Sequence, residues 1–286
     1  MLSDTPHATV LVPTHDHAHL IGYSLRSIQE QSFADFELFV VGDGANEETR
    51  DVVADLARND ARIHYFSFPK GARNGEAHRD IVLKQARGEI VAYCGDDDIW
   101  LSDHLAEMST LLTRCDFGHL AQVNVHKPGR YVVFRGTMSK PRHRHGMLEK
   151  NRCFFGLTVG GHTMAAYRSL PVGWSPAPIG TPTDQNMWRK LLRQPGLRFG
   201  GKLKATSIHI VSPQRTDWTR DQRTAELADL FDRRNSPELR DELDAAIRRS
   251  FKVWSPNHYK LPRRLLWAAE SLMGQLVPKP SRHRHP

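Results

Sequence analysis

The segment Tyr93-Cys94-Gly95-Asp96-Asp97-Asp98-Ile99-Trp100 places three carboxylates in a row directly behind an apolar run, Glu89–Cys94. Charges crowded at a strand end are costly without a counter-charge. A hard divalent cation, Mg²⁺ or Mn²⁺, supplies one. It takes oxygen ligands and keeps coordination positions for substrate phosphates. It would then neutralise a departing diphosphate. The competing reading is a helix cap by Asp98 or Asp103. One Asp satisfies a cap, and three are present.

A second group is His15, His17 and His19, alternating after the first apolar run. His-x-His after a first strand also opens some metal-dependent hydrolases built on the TIM barrel. Those barrels need further ligands at later strand ends. The apolar segments after Cys94 do not continue a regular strand-helix repeat, and no such ligand set appears. If Asp16 caps a helix, alternate His residues point around its first turn.

The elements that must position these groups follow from apolar periodicity. Ala8–Pro13, Phe36–Val41, Arg62–Phe66 and Glu89–Cys94 read as strands. Between them, helices start at Asp16 (with Leu20, Ser24, Leu25 and Ile28 on one face), at Asn46 or Glu47, and at Glu76, the last running to Arg87. This alternation calls for parallel strands and right-handed crossovers. Ligands of such sheets bind at the carboxyl ends of the strands, where Thr14, Asp43 and Asp96–Asp98 fall. The second half is less regular. A helix follows Asp103. Strands are expected near Gly118–Val125, Tyr131–Arg135, His162–Tyr167 and Ala205–Val211, and a helix at Thr183–Leu192. From Asp217 onward the chain reads as polar helices broken near Asn235–Pro237 and Ser255–Pro256.

Composition fits a globular domain, with 39% hydrophobic residues and no run long enough for a membrane span. The start, MLSDTPHATVLVP, lacks the basic and apolar regions of a signal peptide. Three widely spaced cysteines, Cys94, Cys115 and Cys153, suggest free thiols in a reducing compartment. The formal net charge of +8 is local. Residues His126–Arg152 carry eight Lys/Arg against one acid, and His258–Pro286 six against one. Such segments suit an anionic acceptor, a phosphate-bearing lipid or a membrane surface, or are plain solvated surface. Nucleic acid is not expected, because no recognised binding motif accompanies the charge. Leu261–Val277 is amphipathic and would lie on a membrane or pack on protein.

Three blocks in order carry a family likeness: VPTHD with the helix SLRSIQEQSF, then DFELFVVGDGANEETRD, then ARGEIVAYCGDDDIWLSDHL. They resemble the inverting family-2 glycosyltransferases of the GT-A fold, the spore-coat polysaccharide type in particular. The likeness is strong over residues 8–112 and weak over 150–211. It implies that Thr14 lies by the nucleotide base and that Asp43 hydrogen-bonds the base, uracil by preference. It places Arg79 near the diphosphate or sugar, Asp96 on the ribose and Asp97 on the metal. His209 resembles a position that reaches the metal or diphosphate, and Asp98 joins Asp97 and His209 in the expected metal set. Many members carry an Asp where this chain has Gly95, which leaves open which carboxylate holds the metal. Inverting transfer also needs a base for the acceptor hydroxyl. TDQNMWRKLL resembles the family's acid-bearing helix, so Asp184 is the candidate, with a helix cap as its rival role. Trp100 and Trp188 either wall a sugar site or fill the core.

The expectation is therefore an α/β GT-A domain with a mostly parallel sheet flanked by helices and a helical C-terminal extension. Residues 1–212 form the catalytic domain, with 1–112 as the nucleotide-binding half and 113–212 as the acceptor side. Residues 213–286 form the extension. The expected partners are a nucleotide-sugar (a UDP-sugar) and a glycan or lipid-linked acceptor of anionic character. The expected place is the cytoplasm or the inner face of the membrane, with 261–277 as the membrane contact. Oligomeric state is left open. The alternatives are a non-catalytic nucleotide- or glycan-binding domain of the same fold, and the hydrolase using His15 and His17. A nucleotidyltransferase would carry a Gly-rich, Arg-containing loop that VPTHDHAHL lacks.

Overall fold

The computed structural model describes residues 5–127, 129–150 and 152–252. Its N-terminal part runs β1 (Ala8–Thr14), α1 (Ala18–Gln29), β2 (Phe36–Asp43), α2 (Glu47–Asn59), β3 (Ile63–Phe68), α3 (Glu76–Leu83) and β4 (Ile90–Tyr93). β2 is buried at every position and β1 at all but one. That is why both read as unbroken apolar runs: helices cover both faces of a parallel sheet. Val10 sits in register with Leu38 on one side and Ala92 on the other. The register brings the carboxyl ends of β1, β2 and β4 to one edge.

The chain continues through β5 (Ile99–Trp100), α4 (His104–Leu112), β6 (Phe117–His119), β7 (Val123–His126), β8 (Arg130–Val133) and α5 (Pro141–Glu149). Then come β9 (Gly160–Thr163), α6 (Met164–Arg168), α7 (Thr183–Arg193), β10 (Phe199–Gly201) and β11 (Ser207–Ile210). The main sheet has the order β10-β6-β9-β4-β1-β2-β3. Only β9 runs against its neighbours, β4 and β6. A smaller sheet, β5-β11-β7-β8, stands beside it. This is a mostly parallel sheet between helices, as expected, and it is open rather than closed. A TIM barrel is thereby ruled out.

Several local expectations are corrected. Residue 17, not Asp16, occupies the N-cap of α1. The His17 ring is drawn to Asp96, and Asp16 is left exposed beside His15. Asn46 does cap α2, accepting from the Thr49 N–H at 2.9 Å. The expected strand at His162–Tyr167 stops at Thr163, whose hydroxyl accepts from the Ala166 N–H and opens α6. The expected strand at Gly118–Val125 is two strands, β6 and β7, in different sheets. Helix α5 was not expected; Pro141 at its start supplies the fixed φ of a first helical position.

The extension begins with α8 (Arg220–Arg233) and α9 (Pro237–Lys252), broken where the sequence suggested. Thr219 and Gln222 form a capping box at the start of α8. Leu227 and Leu230 of α8 join Leu20 of α1 in one buried apolar cluster, and Tyr23 meets Phe231 edge-on at 5.7 Å. α9 lies against β8. The amphipathic stretch 261–277 and the break at Ser255–Pro256 lie outside the described residues. Among the described residues no helix is long and apolar enough to cross a membrane.

Candidate functional site

A cleft of about 680 Å³ opens at the carboxyl ends of β1, β2 and β4. Thr14, Asp43, Arg79 and Asp96 line it, as do His15, His17, Asn74, Lys70, Arg220 and Arg223. All four residues expected to hold a nucleotide-sugar therefore share one cleft. Thr14 closes β1, and its hydroxyl donates to Asp96 Oδ2 at 2.6 Å. His17 Nδ1 meets the other oxygen of Asp96 at 2.9 Å. That hydrogen bond, with the Asp96 charge, raises the His17 pKa against its burial.

Asp43 closes β2 and is almost wholly buried. Lys70 Nζ donates to Oδ2 at 2.5 Å, and the Gly71 N–H donates to Oδ1 at 2.6 Å. Burial works against the charge, but these donors hold the Asp43 carboxyl below its usual range. Gly75, at φ +68°, is required here. A Cβ on it would lie 2.5 Å from Asp43 Cγ.

The acidic run divides by direction. One ligand atom each from His17, Asp96 and Asp97 lies within 4.8 Å of the others, a grouping that could hold a cation. Burial, then the charges of Asp98 and Asp96, push the Asp97 carboxyl up to about 6. Its Oδ2 accepts from Ser212 Oγ and from Arg223 Nη2, the latter at 3.3 Å. Asp98 turns inward and is 1% exposed. It accepts from Thr158 Oγ1, from His209 Nδ1 at 2.9 Å and from the Ile210 N–H at 3.1 Å. Asp97 is grouped with Asp96 and His17, while Asp98 and His209, also expected in the metal set, pair with each other. Burial would lower the His209 pKa, but Asp98 lifts it to about 9. A Cβ at position 95 would lie 2.8 Å from Asp98 Oδ2. Gly95 and an inward Asp98 therefore go together.

Arg79, on α3, is buried, donates to the Asn74 carbonyl at 2.9 Å and stacks over Trp174. Its Nε is buried without a partner. Glu76, one turn earlier, accepts from the Asn74 N–H, the Ala177 N–H and the Thr183 hydroxyl. It ties α3 to the start of α7, where Asp184 stands. The N-cap there is Pro182, so Asp184 is not the cap. It sits in the first turn, partly buried, with the Gln185 N–H on Oδ1 at 2.7 Å. Burial raises its pKa, opposed by that hydrogen bond and by the charges of Arg79 and His209. Asp184 is not in the cleft wall itself, but Thr183 beside it accepts from Asn74 Nδ2, which is.

Trp100 and Trp188 are both fully buried and fill the core. His15 Nδ1 bonds the Asp43 carbonyl oxygen at 2.8 Å, so it and His17 face different partners and do not form a hydrolase ligand pair. Sequence reasoning missed Lys70, Glu76, Ser212 and Arg223. Only Glu76 had a local signal, as an acid opening a helix.

The family model described as "Glycosyl transferase family 2" matches residues 9–172, more than half of the chain. The chain belongs to that family. A GalNAc(5)-diNAcBac-PP-undecaprenol beta-1,3-glucosyltransferase of Campylobacter jejuni is 35% identical over 136 residues, 47% of this chain and 41% of the relative. A UDP-Glc:alpha-D-GlcNAc-diphosphoundecaprenol beta-1,3-glucosyltransferase of Escherichia coli is 26% identical over 106 residues, 37% of this chain and 41% of the relative. The matched region thus spans less than half the length of either relative. Among solved structures, residues 1–349 of S. aureus TarS superpose with a TM-score of 0.58 at 18% identity, covering 93% of this chain and 79% of that one. A mannosyltransferase of Pyrobaculum calidifontis, solved with GDP-Man and Mn²⁺, gives 0.53 at 18% identity, covering 96% and 81%. At that identity the likeness concerns fold, and the fold is GT-A.

Proposed function

We propose that this chain is an inverting, metal-assisted glycosyltransferase that moves a sugar from a UDP-sugar to a hydroxyl of a lipid-linked glycan. The observation that carries the reading is the content of one cleft. Asp43 and Thr14 stand at the ends of two adjacent strands, His17 follows β1 and Asp96 follows β4, and Asp97 lies beside the His17–Asp96 pair. Asp43 accepts an N–H of the base, Asp96 a ribose hydroxyl, and Arg79 faces the diphosphate. An oxygen-rich set with one imidazole suits Mg²⁺ or Mn²⁺. Asp97, with Asp96 and His17, would hold the cation, which when bound would neutralise charge on the leaving diphosphate. Asp98 and His209 pair with each other beside that group. Asp184 takes the proton of the acceptor hydroxyl, whose oxygen attacks the anomeric carbon opposite the departing nucleotide.

The acceptor class rests on two supports. The relatives above act, by name, on undecaprenol-diphosphate-linked glycans. In this chain the basic helix α5 packs against α7, which carries Asp184. An anionic acceptor fits there, and the reaction then belongs at the cytoplasmic face of a membrane. In this reading residues 1–212 are catalytic, and 213–286 an extension that contributes to the site through α8.

The test is a thermal-shift panel of UDP-, GDP- and dTDP-sugars with and without Mn²⁺, followed by detection of released nucleotide. A bound ligand raises stability as RT ln(1 + [L]/Kd). The UDP-sugars should give the largest shift, larger again with Mn²⁺. If no nucleotide-sugar shifts the transition, the reading is wrong. Within it, Asp43→Ala should weaken UDP binding about 10-fold, the worth of one hydrogen bond to a charged group, and leave the gain from Mn²⁺ in place. Calorimetry showing wild-type affinity in that variant would remove Asp43 from the base site.

A further inference from the structure

Arg223 stands between two spaces. It lines the large cleft, and it also lines a small crevice with Asp97, Leu20, Ile210, Glu226 and Leu227. Asp97 is not among the cleft-lining residues, and Arg223 links the cleft to it. The pairing of Arg223 with Asp97 is loose. Its Nη2 is 3.3 Å from Asp97 Oδ2 and 3.1 Å from Ser212 Oγ. A tight pair of this type measures about 2.7–2.9 Å. Its Nε is buried without a hydrogen-bond partner. A guanidinium with unused donors at the rim of a cleft is a ligand for an oxyanion.

The backbone behind it is fixed. Leu227 and Leu230 hold α8 to α1, and the capping box fixes its first turn. Arg215, fully buried, pairs with Glu226 of α8 and donates to the carbonyls of Val125 and Val211. Arg220 reaches across to Glu48 of α2 at 2.6 Å. These contacts anchor the helix, so an exchange of partners at Arg223 needs only its side chain to move.

We propose that Arg223 is an exchangeable ligand of the donor site, resting on Asp97 until a cation takes that carboxylate and then binding the donor's diphosphate. The proposal rests on the nucleotide-sugar reading and adds a residue of the C-terminal extension to it. Two consequences have opposite signs. Removing Arg223 takes away a phosphate ligand, so nucleotide binds less well. It also takes away a competitor for Asp97, so the cation alone binds better.

The experiment uses the full chain, Arg223→Gln and Arg223→Lys. UDP is titrated by calorimetry in the presence of saturating Mn²⁺, and Mn²⁺ is titrated without nucleotide by following the free-ion electron paramagnetic resonance signal. In Arg223→Gln, UDP affinity should fall about 10- to 100-fold, the size of one charge-assisted hydrogen bond, while Mn²⁺ affinity rises. Arg223→Lys keeps the charge and should recover part of both effects, with an unchanged melting temperature in each variant. Unchanged UDP affinity in Arg223→Gln overturns the proposal. Weaker UDP binding with unchanged Mn²⁺ affinity overturns the exchange. Wild-type protein that binds no nucleoside diphosphate with or without Mn²⁺ sinks the parent reading instead.

Discussion

Replacing Asp184 by Asn is expected to cut kcat by about 10²–10⁴ while donor affinity stays at its wild-type value, because general-base catalysis is worth that much. An acceptor hydroxyl is a poor nucleophile while it keeps its proton. The amide keeps the shape of the carboxylate and its Oδ1, which accepts from the Gln185 N–H in the native chain. It loses only the proton acceptor. The rival role, a helix cap, would cost about 1 kcal/mol of stability and spare turnover. Pro182 already holds the cap position, so no such loss is expected.

The electrostatics sharpen the same test. Burial raises the pKa of Asp184. A carboxyl whose folded-state pKa lies above its unfolded value binds its proton more tightly when folded. Stability therefore falls as pH rises from the unfolded pKa through the folded one, and the ionised form carries that cost at neutral pH. Asn carries no such charge. Its melting temperature at neutral pH should equal or exceed that of the wild type. The acid limb of kcat/KM in the wild type should lie above the ordinary carboxylate range, and the residual activity of the variant should lack it. A variant that melts lower yet turns over normally would return Asp184 to a structural role. Donor affinity, melting temperature and kcat on one preparation decide the matter.

The sheet was legible because burial on both faces leaves an unbroken apolar signal, as in Val10–Val12 and Leu38–Val41. The acidic run was legible because local repulsion alone raises the question of a counter-charge. What local sequence does not carry is direction. Asp96, Asp97 and Asp98 are neighbours in the chain, yet Asp98 points into the protein and Asp97 toward Arg223. Nor does it carry distance: Lys70 lies 27 residues from Asp43, and Arg223 lies 126 from Asp97. His17 was visible as half of a His-x-His pair. Its role as a partner of Asp96 depends on where β1 and β4 end relative to each other, a matter of register. Helix α5 escaped notice because its charged residues mask a weak apolar side, and its place is set by contact with α7. The strand expected through Tyr167 failed because Thr163 offers its hydroxyl to the backbone, a local competition that apolar periodicity does not register.

Asp97→Ala is expected to abolish the gain in nucleotide affinity that Mn²⁺ gives. Asp96 already accepts from Thr14 on one oxygen and meets His17 on the other. Ser212 and Arg223 both reach a single oxygen of Asp97, Oδ2. Asp97 is therefore the carboxylate of the group with the most capacity for a cation. Losing one partner of a desolvated charge pair costs about 2–5 kcal/mol, so the Mn²⁺-dependent gain should shrink by about 30-fold or more. The fold should survive, because the change removes one of three mutually repelling charges. Without Mn²⁺ the variant has a second signature. Its cleft is less negative and Arg223 is released, so UDP should bind as well as to the wild type or better. Arg223→Gln should instead leave metal-free UDP binding near the wild-type value and weaken it once Mn²⁺ is present. The two variants thus distinguish loss of the cation's ligand from loss of the phosphate's ligand, although the residues touch. Calorimetry of UDP with and without Mn²⁺ on both variants measures this directly. A wild-type Mn²⁺ gain in Asp97→Ala would show that the cation is held elsewhere.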